Sequence, residues 1–212
     1  MARLPRKFYE GDTVETARNL LGMYLVRMRN GEPLVCRITE TEAYVGRMDK
    51  ACHAYNYRRT PRTAVMFGEA GHAYIYFIYG MHYCLNFVTE KEGEPSAILI
   101  RGLSPIHGTE TIRRLRFGDK AECLTAYQRK NLLNGPGKIC KGLSLTTAEN
   151  GADLTGDTLF VCSSPADLGL PCPPPPPGET VCIGPRIGVD YAEEAKDFPW
   201  RFWLQEEKHV SV

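Results

Sequence analysis

The stretch AYIYFIYGMHYCLNFV, Ala73–Val88, decides how the rest of the chain can be arranged. Aromatic and β-branched residues dominate it on both sides of Gly80, which is typical of two β-strands joined by a tight turn. Glycine adopts a positive φ at little cost, so Gly80 suits the turn. The pattern therefore predicts a β-hairpin with Tyr79, Met81 and His82 at its tip.

Two interpretations of this hairpin stay open from its residues alone. In the first, its aromatic side chains fill the protein interior, as most large apolar side chains do. In the second, a stiff hairpin inserts the aromatic residues of its tip into a partner. The hairpin residues do not decide between the two.

Length and composition describe an ordinary globular protein. The chain has 212 residues, of which 43% are hydrophobic and 24% charged, enough for one domain with a real core. Its formal net charge of +1 means that any binding of nucleic acid must depend on charge collected on one side. Basic residues do concentrate in one stretch that holds a single acidic residue, Asp49: Arg47, Lys50, Arg58, Arg59 and Arg62. Runs of this kind are more often solvated surface than binding sites.

The cysteines and the chain start bear on the cellular compartment. The eight cysteines form no C-x-x-C pair and no Cys–His spacing typical of zinc sites, so we expect no structural metal. The opening residues MARLPRKFYEGD lack the apolar segment of a signal peptide, and no apolar run has membrane-spanning length. We therefore expect an intracellular protein with reduced thiols and no membrane association.

Local patterns elsewhere predict further strands and helices. The dipeptide Asn30-Gly31 is a strong hairpin signal. Strands are predicted at Met23–Arg29, Leu34–Tyr44, Ser96–Leu103, Thr180–Val189 and Pro199–Leu204, and helices from Asp12 or Thr13 to Leu21, at Thr109–Phe117 and from Gly135 to Lys141. Antiparallel hairpins dominate, and the strands do not alternate with helices as βαβ units would. The predicted fold class is α+β: one compact domain, residues 1–212, with a curved, mainly antiparallel sheet, flanking helices and a protruding β-hairpin.

One segment falls outside this pattern. Residues 163–179 are rich in proline, and Pro173–Pro177 are consecutive prolines, which favour an extended polyproline helix. We expect a surface insertion here, and a ligand for a signalling domain is the less favoured alternative.

Charged residues interrupt two of the predicted strands. In LVCRITETEAY, alternation places Glu40 and Glu42 on the same face as the apolar Cys36 and Ile38. Either the end of this strand leaves the core, or a carboxylate is held at the mouth of a pocket, and spacing alone does not separate Glu40 from Glu42. Arg101 follows an apolar run, where an unpaired buried charge would be costly, so it either reaches solvent or has a partner.

The segment Asn134–Lys138 reads NGPGK. The Gly-Pro pair is typical of a helix start with proline in the first turn. Free backbone N–H groups beside Lys138 would suit a phosphate, although the spacing is not that of a nucleotide P-loop. A turn with a helix cap is the simpler interpretation.

Eight motifs occur in order along the chain: ETEAY (Glu40–Tyr44), His53, RTPR (Arg59–Arg62), Met66-Phe67, YIYFIYGMHYCLN (Tyr74–Asn86), LIRG (Leu99–Gly102), GPGK (Gly135–Lys138) and RIGV (Arg186–Val189). Together they closely resemble the alkyladenine (3-methyladenine) DNA glycosylase family. The resemblance runs from the first helix to the last predicted strand and is interrupted at the proline-rich stretch. It implies a monofunctional, monomeric enzyme that hydrolyses the N-glycosidic bond of alkylated or deaminated purines in double-stranded DNA, without a metal or organic cofactor.

The resemblance also implies roles for individual residues. Glu42 matches the catalytic carboxylate, and Arg101 an arginine beside the catalytic water and the nucleotide phosphate. Tyr44, His53 and Tyr76 match the residues that enclose a flipped base, and Asn86 the residue that crowds the amino group of guanine. Tyr79, with Met81 beside it, matches the side chain that intercalates into DNA. Contacts with the DNA backbone are expected from Arg58, Arg59, Arg62, Gly135 and Lys138.

Two further predictions concern the hairpin and the class of function. Ile75, Phe77, Leu85 and Phe87 are expected to be ordinary core residues. The alternatives to an enzyme are a non-catalytic protein that binds distorted DNA with the same hairpin and, with less support, an RNA-binding module.

Overall fold

The computed structural model describes residues 3–174, 176 and 179–205. Its strands are β1 Tyr24–Arg29, β2 Glu32–Val45, β3 Ala73–Ile78, β4 His82–Thr89, β5 Ser96–His107, β6 Leu159–Cys162, β7 Val181–Gly184 and β8 Arg201–Leu204. The α-helices are α1 Arg6–Tyr9, α2 Thr13–Asn19, α3 Thr109–Phe117, α4 Ala126–Lys130 and α5 Pro136–Gly142. Short 3₁₀ helices lie at Tyr55–Tyr57, Ala64–Phe67, Gly118–Cys123, Thr147–Glu149, Pro165–Leu168 and Glu193–Asp197.

One open sheet organises the described part of the chain, where it has eight strands. Its order is β3-β4-β5-β2-β1-β6, with β8 paired to β2 and β7 paired to β8. All of these strand pairs are antiparallel. Helices α2, α3 and α5 bury Ala17, Ile112 and Ile139 in the main core against the sheet. The predicted α+β class is confirmed, with a single compact domain.

Most predicted elements are present, with shifted ends. Helix α3 has the predicted bounds, and α5 begins with Pro136 in its first turn as expected. Asp12 caps α2 by accepting two backbone N–H groups, but the helix ends at Asn19 and not at Leu21. The predicted strand to Val189 is wrong beyond Gly184, because residues 185–189 leave the sheet and turn toward β2.

The proline-rich segment is described only in part. Residues 171–174 are exposed and have no regular secondary structure, whereas Pro175, Pro177 and Gly178 lie outside the described residues. The predicted surface insertion and its polyproline helix stay predictions.

An irregularity in the pairing of β2 with β5 changes which side chains face the core. The register pairs Ile38 with Leu103, Glu40 with Gly102 and Thr41 with Ile100, so it skips Thr39 on one strand and Arg101 on the other. Such bulges locally disrupt the ladder and re-aim side chains.

The bulge overturns the predicted alternation along β2. Before it, Cys36 and Ile38 lie in the main core, and after it Ala43 does. Alternation predicted that Glu40 and Glu42 share a face with Cys36, and this prediction is wrong. Both glutamates lie on the opposite face of the sheet. The carboxylates are thereby kept out of the main core while remaining fully buried.

Two hairpin turns use positive φ angles at both central residues, as type I′ turns require. Asn30 and Gly31 have φ values of 50° and 82°, and Tyr79 and Gly80 have values of 54° and 66°. Asparagine tolerates this region, but tyrosine adopts it only at a cost. The tip of the β3–β4 hairpin is therefore strained where its largest side chain stands.

The predicted core residues of the hairpin are confirmed except for one. Ile75, Leu85 and Phe87 are buried in the main core. Phe77 is 46% exposed, so its assignment to the core is wrong. It packs instead on Tyr83 of the paired strand, with ring centroids 4.9 Å apart, on the part of the hairpin that projects from the body of the domain.

The described residues contain no helix long and apolar enough to cross a membrane. All eight cysteines lie within the described residues, and none of them forms a disulfide.

Candidate active site

A cavity of about 260 Å³ opens beside the projecting hairpin. Six of the predicted site residues line it: Tyr44, His53, Tyr76, Tyr79, Asn86 and Arg101. The remaining walls include Cys52, Met66, Tyr74, Pro136, Ile187–Val189 and Tyr191. Residues far apart in the sequence thus converge on one aromatic slot.

The aromatic part of the slot is built from β3 and the loop that precedes it. The rings of His53 and Tyr76 meet edge to face at 4.6 Å, and those of Tyr74 and Tyr76 lie 5.3 Å apart. Nδ1 of His53 is 3.0 Å from Oη of Tyr74. Tyr74 was not among the predicted slot residues, although alternation along β3 places it on the same face as Tyr76.

His53 is held neutral in this position. Burial, and then the positive charge of Arg62, lower the pKa of His53 to about 4. Nε2 of His53 lies 3.5 Å from a guanidinium nitrogen of Arg62, which has only N–H donors. Nε2 is therefore the accepting nitrogen, and Nδ1 carries the proton toward Tyr74.

Glu42 lies immediately behind the slot, with no exposed surface of its own. One carboxylate oxygen accepts the backbone N–H of Ile187 at 2.8 Å, and the other accepts the hydroxyl of Tyr44 at 2.7 Å. Nε of Arg101 is 3.4 Å from the first oxygen. Each of these three partners lines the slot, so Glu42 lies next to the cavity wall without lining the cavity itself.

Burial and hydrogen bonding act on Glu42 in opposite directions. Desolvation raises the pKa of Glu42 above its ordinary value, while Arg101, the Ile187 N–H and the Tyr44 hydroxyl oppose the rise. The pKa of Tyr44 is raised well above its ordinary value by burial and by the charge of Glu42. Tyr44 therefore stays protonated, and its hydroxyl donates a hydrogen bond to the carboxylate.

The structure separates the two carboxylates that spacing could not distinguish. Glu40 bonds Nε of Arg201 at 2.6 Å and Nε of Arg101 at 3.3 Å. Glu42 contacts three residues that line the slot, and Glu40 shares one of them, Arg101. Arg101 is 8% exposed and lies between the two carboxylates, so it is a paired, buried charge rather than one that reaches out to solvent.

Sheet register connects Glu42 to the hairpin. Tyr74 pairs with Asn86, Asn86 with Leu99, and Leu99 with Glu42, across four neighbouring strands. Paired residues on neighbouring strands point to the same face. The row therefore brings the carboxylate to the same side of the sheet as the slot.

Asn86 and the residues of the hairpin tip differ in their exposure to solvent. Asn86 is buried, and its amide nitrogen donates to the carbonyl of Tyr74 at 3.0 Å. Tyr79 and Met81 are 80% and 69% exposed at the end of the hairpin. The exposed tip excludes the interpretation in which these residues fill the core.

The residues predicted to contact the DNA backbone do not form one cluster. Arg62 stands over the ring of Tyr76 at 4.7 Å, and Arg58 lines a neighbouring hollow of about 320 Å³. Arg59 lies 5.2 Å over the ring of Phe67. Lys138 binds the side-chain oxygens of two asparagines at 3.1 and 2.8 Å.

The start of α5 touches the hairpin through a small residue. A Cβ at Gly137 would approach the ring of His82 to 2.9 Å, so the contact depends on glycine. Gly135, predicted to bind DNA, precedes this helix as its N-cap.

Within the described ranges, no three His, Cys, Asp or Glu side chains lie close enough together to hold a metal ion.

Comparison with known proteins gives the class to which this arrangement belongs. The model of the methylpurine-DNA glycosylase family matches residues 7–208. Three curated proteins with the name "Putative 3-methyladenine DNA glycosylase" are similar over nearly the whole chain. The protein of Desulfitobacterium hafniense is 44% identical over 212 residues, all of both chains. That of Clostridium acetobutylicum is 44% identical over 99% of this chain and 98% of its own, and that of Bacillus cereus (strain AH820) is 46% identical over 98% of each.

The chain therefore belongs to the methylpurine-DNA glycosylase family. This confirms the family resemblance inferred from the ordered motifs.

Proposed function

We propose that this protein excises alkylated or deaminated purines from double-stranded DNA by hydrolysing the N-glycosidic bond, and leaves an abasic site. The observation that carries the proposal is a buried carboxylate, Glu42, held by three groups that line an aromatic slot beside an exposed tyrosine. In this proposal the slot binds the base, the carboxylate acts on the glycosidic bond through water, and the exposed tip distorts the DNA.

Tyr79 is proposed to take the place of the damaged nucleotide in the duplex. A base inside a stacked helix is out of reach of any enzymatic group, so the nucleotide must be rotated out. Unstacking costs a few kcal/mol, and an apolar wedge between the neighbouring bases recovers part of it. Tyr79 stands exposed at the end of the hairpin and also lines the slot, so one side chain borders both positions.

Tyr44, His53 and Tyr76 are proposed to enclose the flipped base. An alkylated purine often carries positive charge, and an aromatic face adds about 0.5–2 kcal/mol of attraction to a cation. A neutral His53 adds no positive charge of its own against such a base. Much of the selectivity then comes from the bond itself, since a cationic purine leaves more readily than a neutral one. Asn86, held by its bond to the Tyr74 carbonyl, is proposed to collide with the amino group of guanine.

Glu42 is proposed to act as the general base on water. A carboxylate offers about four acceptor positions. The Tyr44 hydroxyl and the Ile187 N–H occupy two of them, and the Arg101 guanidinium forms an ion pair at 3.4 Å, which leaves room for a water O–H. The water would enter between the lining residues Tyr44, Arg101 and Ile187. Its oxygen would attack the anomeric carbon as the base departs, and the carboxylate would stabilise the oxocarbenium-like character there.

Arg101 is proposed to keep Glu42 ionised and to attract the phosphate of the flipped nucleotide. Its guanidinium opposes the effect of burial on the pKa of Glu42. We propose that Arg58, Arg59, Arg62, Gly135 and Lys138 contact the DNA backbone, where such contacts position a protein without reading sequence. The enzyme is proposed to be monofunctional, without a Schiff-base step, because the lysines of the chain match no catalytic amine of the family. It is also proposed to act as a monomer.

Base release from defined duplexes tests the proposal. Duplexes that each carry one methylated purine, hypoxanthine or etheno-adduct are incubated at modest salt, because backbone binding weakens steeply as salt rises. Free base and an abasic site are expected from at least one lesion with the wild-type protein and not with the Glu42→Gln variant. If both proteins bind lesion DNA and neither releases a base, the protein is a non-catalytic binder. A covalent adduct trapped by borohydride would contradict the monofunctional assignment.

A further inference from the structure

Arg186 is a buried arginine directly behind the slot. Its side chain is 0% exposed, as is that of Asp49, to which both terminal guanidinium nitrogens bind. The same two nitrogens donate to the backbone carbonyls of Ala43, at 2.8 Å, and Ala195, at 2.9 Å. The fork of donors thus holds three separate segments of the chain in one arrangement.

Arg186 packs against one of the three groups that hold Glu42 and precedes another in the chain. Its guanidinium carbon lies 4.7 Å from the centre of the Tyr44 ring and 5.2 Å from that of Trp200. Tyr44 donates its hydroxyl to one oxygen of Glu42, and Ile187, the next residue after Arg186, donates its N–H to the other. Two donors of the carboxylate therefore depend on the placement of this one side chain.

Asp49 also links Arg186 to Ala51, on another wall of the slot. Its second oxygen pairs with Arg186 and accepts the N–H of Ala51 at 2.9 Å. Ala51 lines the cavity, so the pair fixes the loop on that side as well.

We infer that Arg186, seated on Asp49, is a positioning residue that sets Glu42 and the Tyr44 wall of the slot for catalysis without touching the substrate. The inference rests on the proposed function, because it assigns the residue a part in base excision. A displacement of about 1 Å at a reacting group can cost about 100-fold in rate. The ion pair would then matter for the chemical step as well as for the fold.

A matched ion pair elsewhere separates the two effects. Arg37 binds both oxygens of Glu179 at 2.6 Å, with side-chain exposures of 8% and 14%. Neither residue lines the slot. Arg37→Met therefore removes a comparable pair, and it serves as the control for loss of stability alone.

The experiment compares four variants with the wild type: Arg186→Met, Arg186→Lys, the double variant Asp49→Leu/Arg186→Met, and Arg37→Met. The double variant replaces the whole pair with apolar side chains, a change that other proteins tolerate, so it covers the case in which Arg186→Met fails to fold. Each is measured for thermal unfolding, for the dissociation constant of a lesion duplex, and for the single-turnover rate of base release from pH 4 to 9.

We expect the single-turnover rate to fall about 100-fold in Arg186→Met and in the double variant, while duplex affinity weakens less than about 10-fold. Arg186→Lys, which keeps the cation, should recover part of the rate. Arg37→Met should lower the unfolding temperature and leave the rate within about 3-fold of wild type.

The pH dependence of the single-turnover rate distinguishes a positioning role from a loss of stability, because a loss of stability alone does not shift it. Glu42 is faced by Tyr44, Arg101 and the Ile187 N–H, and its charge is coupled to those of Glu40, Cys84 and Arg186. Removal of Arg186 takes away a cation and loosens two donors, so the acid limb of the rate should move to higher pH. Arg186→Lys should keep that limb near its wild-type position.

A folded Arg186→Met or double variant with wild-type rate and profile would overturn the inference. So would an equal loss of rate in Arg37→Met. A wild-type protein that releases no base from any lesion would contradict the proposed function itself, which is a different outcome.

Discussion

Replacement of Tyr79 by asparagine should stabilise the fold and impair base excision at once. Tyr79 has a φ of 54° and is 80% exposed, so its ring gains little from packing while its backbone is strained. The left-handed region costs an ordinary residue about 1–2 kcal/mol, whereas Asn-Gly is the preferred pair for a type I′ turn. The chain already uses that pair at Asn30-Gly31, with φ values of 50° and 82°.

The relief of backbone strain and the loss of the aromatic ring set the expected changes in unfolding temperature and excision rate. Relief of about 1 kcal/mol corresponds to a rise of roughly 2–4 °C in the unfolding temperature of a domain of this length. Loss of an aromatic ring that stacks on bases costs about 1–3 kcal/mol, which is about 5- to 150-fold in the rate of excision. The two effects have opposite signs because the strain lies at the functional position.

Thermal unfolding and single-turnover base release on one lesion duplex measure both effects. Tyr83→Leu, on the same hairpin but away from its tip, serves as the comparison for changes of the hairpin surface. A fall of more than about 5 °C for Tyr79→Asn would mean that the ring supports the fold. An unchanged excision rate would refute its role as a wedge.

Three further outcomes are expected. The rate of base release should fall as pH drops through the pKa of Glu42, with a midpoint above the ordinary 4.5, because burial raises that pKa and the ionised form is the active one; an acid limb below 4.5 would contradict this. Because His53 has a folded pKa of about 4 and an ordinary value of 6.5, the unfolded chain binds more protons between these values. The free energy of unfolding should therefore rise with pH across that window by up to about 3 kcal/mol more than in His53→Gln, as denaturant titrations can measure. Gly46→Ala would place a Cβ 2.0 Å from the carbonyl oxygen of Pro95, so denaturant unfolding should show a loss of at least about 1–3 kcal/mol.

The elements that rest on local pattern could be predicted from the sequence. The hairpin at Ala73–Val88, the turn at Asn30-Gly31 and the helix Thr109–Phe117 all follow from residue types over a few neighbours. The family resemblance implied that residues far apart in the sequence share one site, and six of these residues line one cavity in the structure.

The features that depend on pairing between distant strands could not be predicted. The bulge between β2 and β5 has no local signal, yet it moves Glu42 to the face that carries the slot. Phe77 looks like a core residue by type, but the projection of the hairpin leaves it 46% exposed. Residues 185–189 have the composition of a strand, and only the bonds of Arg186 and Ile187 show why they leave the sheet.

Single-turnover base release by Glu42→Gln and Glu40→Gln tests the central claim most directly. Both carboxylates are fully buried two residues apart, and both lie near Arg101, so the second is a matched control for the first. A positioned general base contributes about 10²–10⁴-fold, and the loss of Glu42 should fall in that range with lesion binding retained. Glu40→Gln should cost about 10-fold or less. Equal losses in the two variants, or full activity in Glu42→Gln, would contradict the assignment of Glu42 as the catalytic base.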